Sequence, residues 1–125
     1  MVLDDGRSAR GDVVMQPETV DAMATNAMDD STVTLLKTVM PALSNDAEFF
    51  PGVTKQWGLS FLINNEEAPT GRSAGSLCWA GLPNTYYWID RKKRLGGVYM
   101  TQILPFADVK SLPLFHAFES AVYGR

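Results

Sequence analysis

Apolar positions along the chain follow two periods, and the change between them falls near residue 55. Upstream, Val20 and Met23, with Ala27 beyond them, lie on one helical face. The Gln16-Pro17-Glu18-Thr19 run before them puts a proline and an acid where a first turn accepts both. The spacing predicts a short helix over 17–26, broken by Asp29-Asp30-Ser31. The next apolar run, "TVTLLKTVMPAL" over 32–43, predicts a helical piece interrupted at Pro41. "SNDAEFFPG" over 44–52 reads as loop, with Pro51-Gly52 as a turn.

Beyond it the period drops to two. Trp57, Leu59, Phe61 and Ile63 alternate with Gly58, Ser60 and Leu62, which predicts a strand over 56–64. A polar connection, "NEEAPTGRSAG", leads to three more expected strands over 75–81, 84–90 and 95–103. The last two are joined by the charged turn Arg91-Lys92-Lys93-Arg94, and such short links favour antiparallel neighbours. On the 84–90 strand, Tyr86 and Trp88 share one face and Tyr87 takes the other; core packing is the default, with substrate contact from one face left open. Helical spacing returns at the end. Leu112, Phe115, Phe118 and Val122 form a stripe that Leu114, Ala117 and Ala121 widen, with Asp108 or Ser111 as N-cap, Pro113 in the first turn and Gly124 as C-cap. Gly96-Gly97 inside the last strand marks either a close approach of that helix or a twisted hairpin base. The expected class is α+β, an antiparallel sheet with flanking helices, in a single domain over 1–125.

Composition narrows the function classes. With 46% hydrophobic and 20% charged residues in 125, the chain is a folding one. A net charge of −3 gives no footprint for nucleic acid or an anionic membrane surface. No apolar run approaches the ~20 residues of a membrane span, and Met1–Gly6 carries no basic region followed by an apolar stretch. Cys78 is the only cysteine, so no internal disulfide and no metal framework is expected, and a reducing, cytoplasmic setting is the default. No metal and no cofactor is expected. His116 reads as structural or surface, Cys78 as a buried inert thiol, Arg91–Arg94 as a solvated turn, and Glu66-Glu67 and Asp29-Asp30 as surface charge.

Three ordered stretches, "FPGVTKQWGLSFLI", "GSLCWAGLPNTYYWID" and "RLGGVYMTQILPFAD", resemble the C-terminal portion of the serine β-lactamase-related family. That family includes class C β-lactamases, DD-peptidases and family VIII carboxylesterases. Trp79-Ala80-Gly81, Thr85-Tyr86-Tyr87-Trp88-Ile89-Asp90 and Met100-Thr101-Gln102 carry the likeness in order and spacing, and Pro17-Glu18-Thr19-Val20 resembles an upstream Ser-Pro-Glu-Thr segment. The resemblance implies a partial β-lactamase/transpeptidase-like fold in which Trp79, Ala80, Gly81 and Leu82 edge a substrate site. It implies that the Leu82 backbone N–H is one oxyanion-hole donor, the nucleophilic serine N–H being the other. Ala80 departs from the glycine commoner in the esterase-like branch. A tryptophan in place of the lysine of Lys-Thr-Gly lacks the cation that a β-lactam carboxylate needs, so the esterase branch is the better match.

The family's Ser-x-x-Lys and Tyr-x-Asn are missing. None of Ser8, Ser31, Ser44, Ser60, Ser73, Ser76, Ser111 and Ser120 is followed three residues later by lysine, and Tyr86, Tyr87, Tyr99 and Tyr123 sit in no such tyrosine motif. Met1-Val2-Leu3-Asp4-Asp5-Gly6 resembles a segment inside the family's domain. The expectation is a fragment of a serine hydrolase, lacking the N-terminal catalytic half and inactive alone, whose family cleaves esters or amides through an acyl-serine. Its expected partners are further copies of itself or the N-terminal half, with a small ester or amide substrate once completed. A non-catalytic oligomeric remnant, or a binding module, is the alternative.

Overall fold

Five strands form one antiparallel sheet in chain order, β1 (Lys55–Trp57), β2 (Leu62–Asn64), β3 (Leu77–Gly81), β4 (Thr85–Asp90) and β5 (Leu95–Tyr99). Helix α1 (Pro17–Ala24) precedes the sheet, α2 (Ser111–Val122) follows it, and a single 3-10 turn spans Val2–Asp4. The computed structural model describes all of residues 1–125. No helix is long and apolar enough to cross a membrane.

The alternation of β4 builds both layers. Tyr86 and Trp88 point into a core of Phe49, Phe50, Leu62, Ala68, Cys78 and Phe115, which α2 closes. Tyr87 and Ile89 point the other way, toward Phe61, Ile63 and Leu77, where Val2, Met23 and Ala24 cover the sheet. Along β4 buried and half-buried positions alternate, so the face under α2 is the drier one and the period of two survives in the sequence.

The strand expected over 56–64 is a hairpin instead. Lys55 pairs with Asn64 and Trp57 with Leu62, so the chain reverses over 58–61. Gly58 permits this, because a Cβ there would collide with the backbone carbonyls of Met23 and Thr25. The alternation that mimicked one strand was accidental, and Leu59 sits at the tip, 70% exposed. The expected helical piece over 32–43 is also absent. Val33 donates its N–H to Lys55 O at 2.7 Å, Leu36 bridges Ala47, and Thr38 donates its N–H to Asp46 Oδ1 at 2.9 Å. Thr32, Val33, Thr34, Thr38 and Val39 make this segment β-branched, and such side chains disfavour a helix. The last strand stops at Tyr99 rather than 103, because the chain turns to wrap the β3–β4 tip: Thr101 Oγ1 donates to Pro83 O at 2.6 Å.

Helix α2 is rotated from the expected stripe. Its buried row is Ser111, Phe115 and Glu119, while Leu114, Phe118 and Val122 stay partly exposed. Asp108 is the residue that caps it, its Oδ1 accepting from Lys110 N at 3.0 Å and Ser111 N at 2.8 Å. Gly124 follows the helix at φ +73°, as its C-cap role requires. Nor is Arg91–Arg94 only a solvated turn. Arg91 pairs with Asp5 (2.7 Å) and Asp21 (2.8 Å), and Arg94 with Asp4 (2.5 Å), which straps the N-terminal segment and α1 across the sheet.

Candidate functional site

The open part of the sheet is the outer edge of β3. Strand β2 pairs only with Leu77 and Cys78, whereas β4 runs along all of Leu77–Gly81. The outward backbone of Trp79-Ala80-Gly81 therefore has no strand beside it. These three residues, with Leu82 and Phe106, line an open groove with room for about 230 Å³. The structure thus brings together all four residues singled out from the sequence, and adds Phe106. Trp79 is held from behind by Trp57, edge-on at 4.5 Å between ring centroids, and by Phe49 at 6.1 Å.

Leu82 leads the three-residue tip between Gly81 and Thr85. Its N–H donates to no group in the chain, and its side chain is exposed. A free N–H beside an open strand edge is what an incoming carbonyl oxygen requires. The tip is rigid because of Asn84, a fully buried residue in left-handed backbone at φ +60°. Its Nδ2 donates to Ile103 O and Pro105 O at 2.8 Å, and its Oδ1 accepts from Tyr86 Oη at 2.6 Å and Asp108 N at 2.9 Å. Burial pushes the Tyr86 hydroxyl up to about 12, so it stays a neutral donor in this network. The sequence reading missed Asn84. Its one signal was the Pro83-Asn84 turn, where asparagine tolerates the left-handed region.

No nucleophile accompanies the groove. Cys78 is buried, and burial pushes its thiol further from ionisation. His116 is half-buried away from the groove, stacked on Phe50 at 4.8 Å with Nε2 lacking a partner. Burial lowers its pKa, Glu119 partly opposes this and Arg72 reinforces it. Because the folded pKa lies below the unfolded one, folding loses stability as the pH falls through the unfolded value of about 6.5. The urea midpoint is expected to drop between pH 7 and 5, and His116→Phe, which keeps the stack, is expected to flatten that drop. An unchanged slope in the variant would assign the pH dependence elsewhere.

A second polar centre lies behind the sheet. Arg72 grips Glu119 through two bonds, Nε to Oε1 at 2.6 Å and Nη2 to Oε2 at 2.5 Å, and Thr70 Oγ1 donates to the same carboxylate at 2.7 Å. Asp90, also fully buried, accepts from Ser73 N, Lys93 N and Tyr123 Oη at 2.9–3.0 Å. Burial raises its pKa, but the hydrogen bonds, first those from Ser73 and Lys93, outweigh burial and hold it below the usual carboxylate range. No group of three or more His, Cys, Asp or Glu is placed to hold a metal ion. One further open depression, lined by Asp4, Asp5, Asp21, Arg91 and Arg94 among others, is the ion-paired strap itself, and another lies beside Thr85, Met100, Thr101 and Gln102.

Comparison with known proteins gives a fold and an extent. No family model matches the chain, and no curated protein sequence matches it. Among solved structures, unliganded simvastatin synthase (LovD) from Aspergillus terreus superposes over 98% of this chain at a TM-score of 0.71 and 23% identity. The LovD6 mutant of the same enzyme gives 0.70 at 26% identity, again over 98% of this chain. In both cases the chain spans only 31% of the other's length. The chain therefore has the β-lactamase-like fold over part of that fold's extent, as the order of its Trp-x-Gly, Trp-Ile-Asp and Met-Thr-Gln stretches led one to expect.

Proposed function

We propose that this chain forms the β3 wall of an acyl-transfer site whose serine nucleophile and general base come from polypeptide outside these 125 residues. The reading rests on one observation: the unpaired N–H of Leu82 stands next to the open edge of Trp79-Ala80-Gly81. In the completed site that N–H stabilises the negative charge on the carbonyl oxygen in the tetrahedral transition state, and the β3 backbone aligns the acyl group. The groove lining carries no charged side chain. A neutral acyl group on an ester or amide suits it better than an anionic one, in line with an esterase-like or acyltransferase-like role. The buried free thiol of Cys78 suits a reducing, cytoplasmic setting.

The test is fluorophosphonate labelling and chromogenic-ester hydrolysis by the chain alone, and by the chain co-expressed with a polypeptide covering the rest of the fold. Labelling is expected only in the pair, and on the added polypeptide. A covalent adduct on the isolated chain would overturn the proposal. In the active pair, Leu82→Pro removes the N–H and is expected to lower kcat about 100-fold, at the lower end of the loss for one oxyanion donor. Leu82→Ala keeps the N–H and is expected to stay near the parent rate.

A further inference from the structure

The tip between β3 and β4 is bonded to the rest of the chain unevenly. The Leu82 N–H is left over, while Pro83 and Asn84 are held from behind. An asparagine in a left-handed turn usually bonds its own neighbouring backbone. Asn84 instead has no exposed surface and reaches a segment about twenty residues on, through the bonds to Ile103 O, Pro105 O and Asp108 N. The backbone of the tip is held from the same segment. Pro83 O accepts from Thr101 Oγ1 at 2.6 Å and from Ile103 N at 3.2 Å, and Asn84 O accepts from Thr101 Oγ1 at 3.1 Å. Glycine alone would satisfy the φ of +60°, so the turn does not account for the amide side chain.

We propose that Asn84 is a positioning residue for the acyl transfer, supported by Thr101, and that it keeps the Leu82 N–H at one fixed place beside the groove. The inference rests on the reading of Leu82 as an oxyanion donor and extends it to the residues that place that donor. Such a donor works by being in place before charge develops, and a displacement of about 1 Å can cost about 100-fold in rate. Only an amide side chain meets the requirement at 84, because two of its bonds are donated and two accepted. The network continues into the core. Asp108, whose N–H reaches Asn84, also caps α2, and Tyr86, whose hydroxyl reaches Asn84, stacks on Phe115 of α2 at 4.8 Å. The tip is therefore part of the packed unit rather than a free loop. Phe106 lies between Pro105 and Asp108, which Asn84 holds, and it lines the same groove. One buried side chain thus fixes both the donor and a wall of the site.

Asn84→Gly keeps the left-handed turn and removes all four side-chain bonds. In the chain paired with the rest of the fold, it is expected to lower kcat per active site about 100-fold, with KM within about two-fold. Active sites are counted by fluorophosphonate titration. Thr101→Val, which removes only the bonds to Pro83 O and Asn84 O, is expected to lower kcat by a smaller factor, and Thr101→Ser to restore it. A purely structural role would reduce the number of titrated sites and leave kcat per site unchanged, and that result would overturn the inference. Amide relaxation of the isotope-labelled chain in the same pair reads the positioning directly. The Leu82 order parameter is expected near 0.85, as in rigid backbone, and below about 0.6 in Asn84→Gly. A Leu82 amide that stays rigid in the variant would overturn the inference whatever the activity. Leu82→Pro separates the two failures. A parent rate in Leu82→Pro would sink the oxyanion reading itself, and this inference with it. A slow Leu82→Pro beside a parent kcat in Asn84→Gly would sink this inference alone. If Asn84→Gly fails to fold, Thr101→Val and Thr101→Ser decide by the same readouts.

Discussion

Glu119→Ala is expected to destabilise the fold by about 3–5 kcal/mol, the range for breaking a buried ion pair by removing one partner. Both groups are out of water, with Arg72 at 1% and Glu119 at 0% exposure. The guanidinium lies over the Phe50 ring at 5.0 Å and its Nη1 already has no partner in the chain. Removing the carboxylate leaves a buried cation with only that ring and the Cys78 thiol beside it, and orphans the Thr70 hydroxyl. A loss of this size is a large share of the ~5–15 kcal/mol by which a single domain is stable. Urea titration reads it as a lower midpoint at unchanged m-value. The pair itself need not be a net stabiliser, because desolvation of two charges offsets their attraction. Replacing both, as Arg72→Met with Glu119→Leu, is therefore expected to recover most of the loss. A single-variant cost below about 1 kcal/mol would mean that water reaches the guanidinium once the carboxylate is gone. The pair also serves the groove. It fixes the connection that delivers the chain into β3 against the back of α2, so the wall stands on a braced support.

How far the sequence revealed this depended on the kind of signal each part leaves. The central strands were legible because period-two alternation in "TYYWID" and the neighbouring runs follows directly from burial on opposite faces. Trp79-Ala80-Gly81-Leu82 entered only through the family resemblance, since without it they read as an ordinary strand end; the structure places them on an open strand edge that lines a groove. The hairpin over 55–64 was not, because what bends it is contact with the carbonyls of Met23 and Thr25, more than thirty residues away. The Arg72–Glu119 and Asp90–Tyr123 pairings were hidden for the same reason. Arg72 sits in a connection that reads as polar and exposed, and Glu119 interrupts an apolar stripe as a surface residue would. Its spacing of four from Phe115 was the one hint that it faces inward.

Gly97→Val is expected to prevent stable folding, and Gly97→Ala to cost about 1–3 kcal/mol, the usual penalty of overpacking a core. The sequence left two readings of Gly96-Gly97, a close approach of the helix or a twisted hairpin base. The neighbour is neither backbone: a Cβ on Gly97 would fall inside the indole of Trp88, its partner across the β4–β5 ladder. The ring has nowhere to retreat. It is 1% exposed, bounded by Phe115 at 5.9 Å and Phe118 at 5.6 Å. Its Nε1 donates to Tyr123 Oη at 3.0 Å, and that hydroxyl donates to Asp90 at 3.0 Å, so tilting the indole breaks a chain of two bonds. Gly96 is the control. A Cβ there meets Trp88 O at 3.2 Å and otherwise only Leu3 and Ile89 at near-normal distance, so Gly96→Ala is expected to cost less. The cause is checked by a cycle. Trp88→Leu alone is expected to lose about 3 kcal/mol or more from the core, but Gly97→Ala added to it should cost almost nothing further. Equal costs of Gly97→Ala in both backgrounds would show that strand flexibility, not the indole, makes glycine necessary at 97. If the ring is the cause, α2, Trp88 and β5 form one unit. The glycine in β5 is then a consequence of how the largest core side chain was fitted.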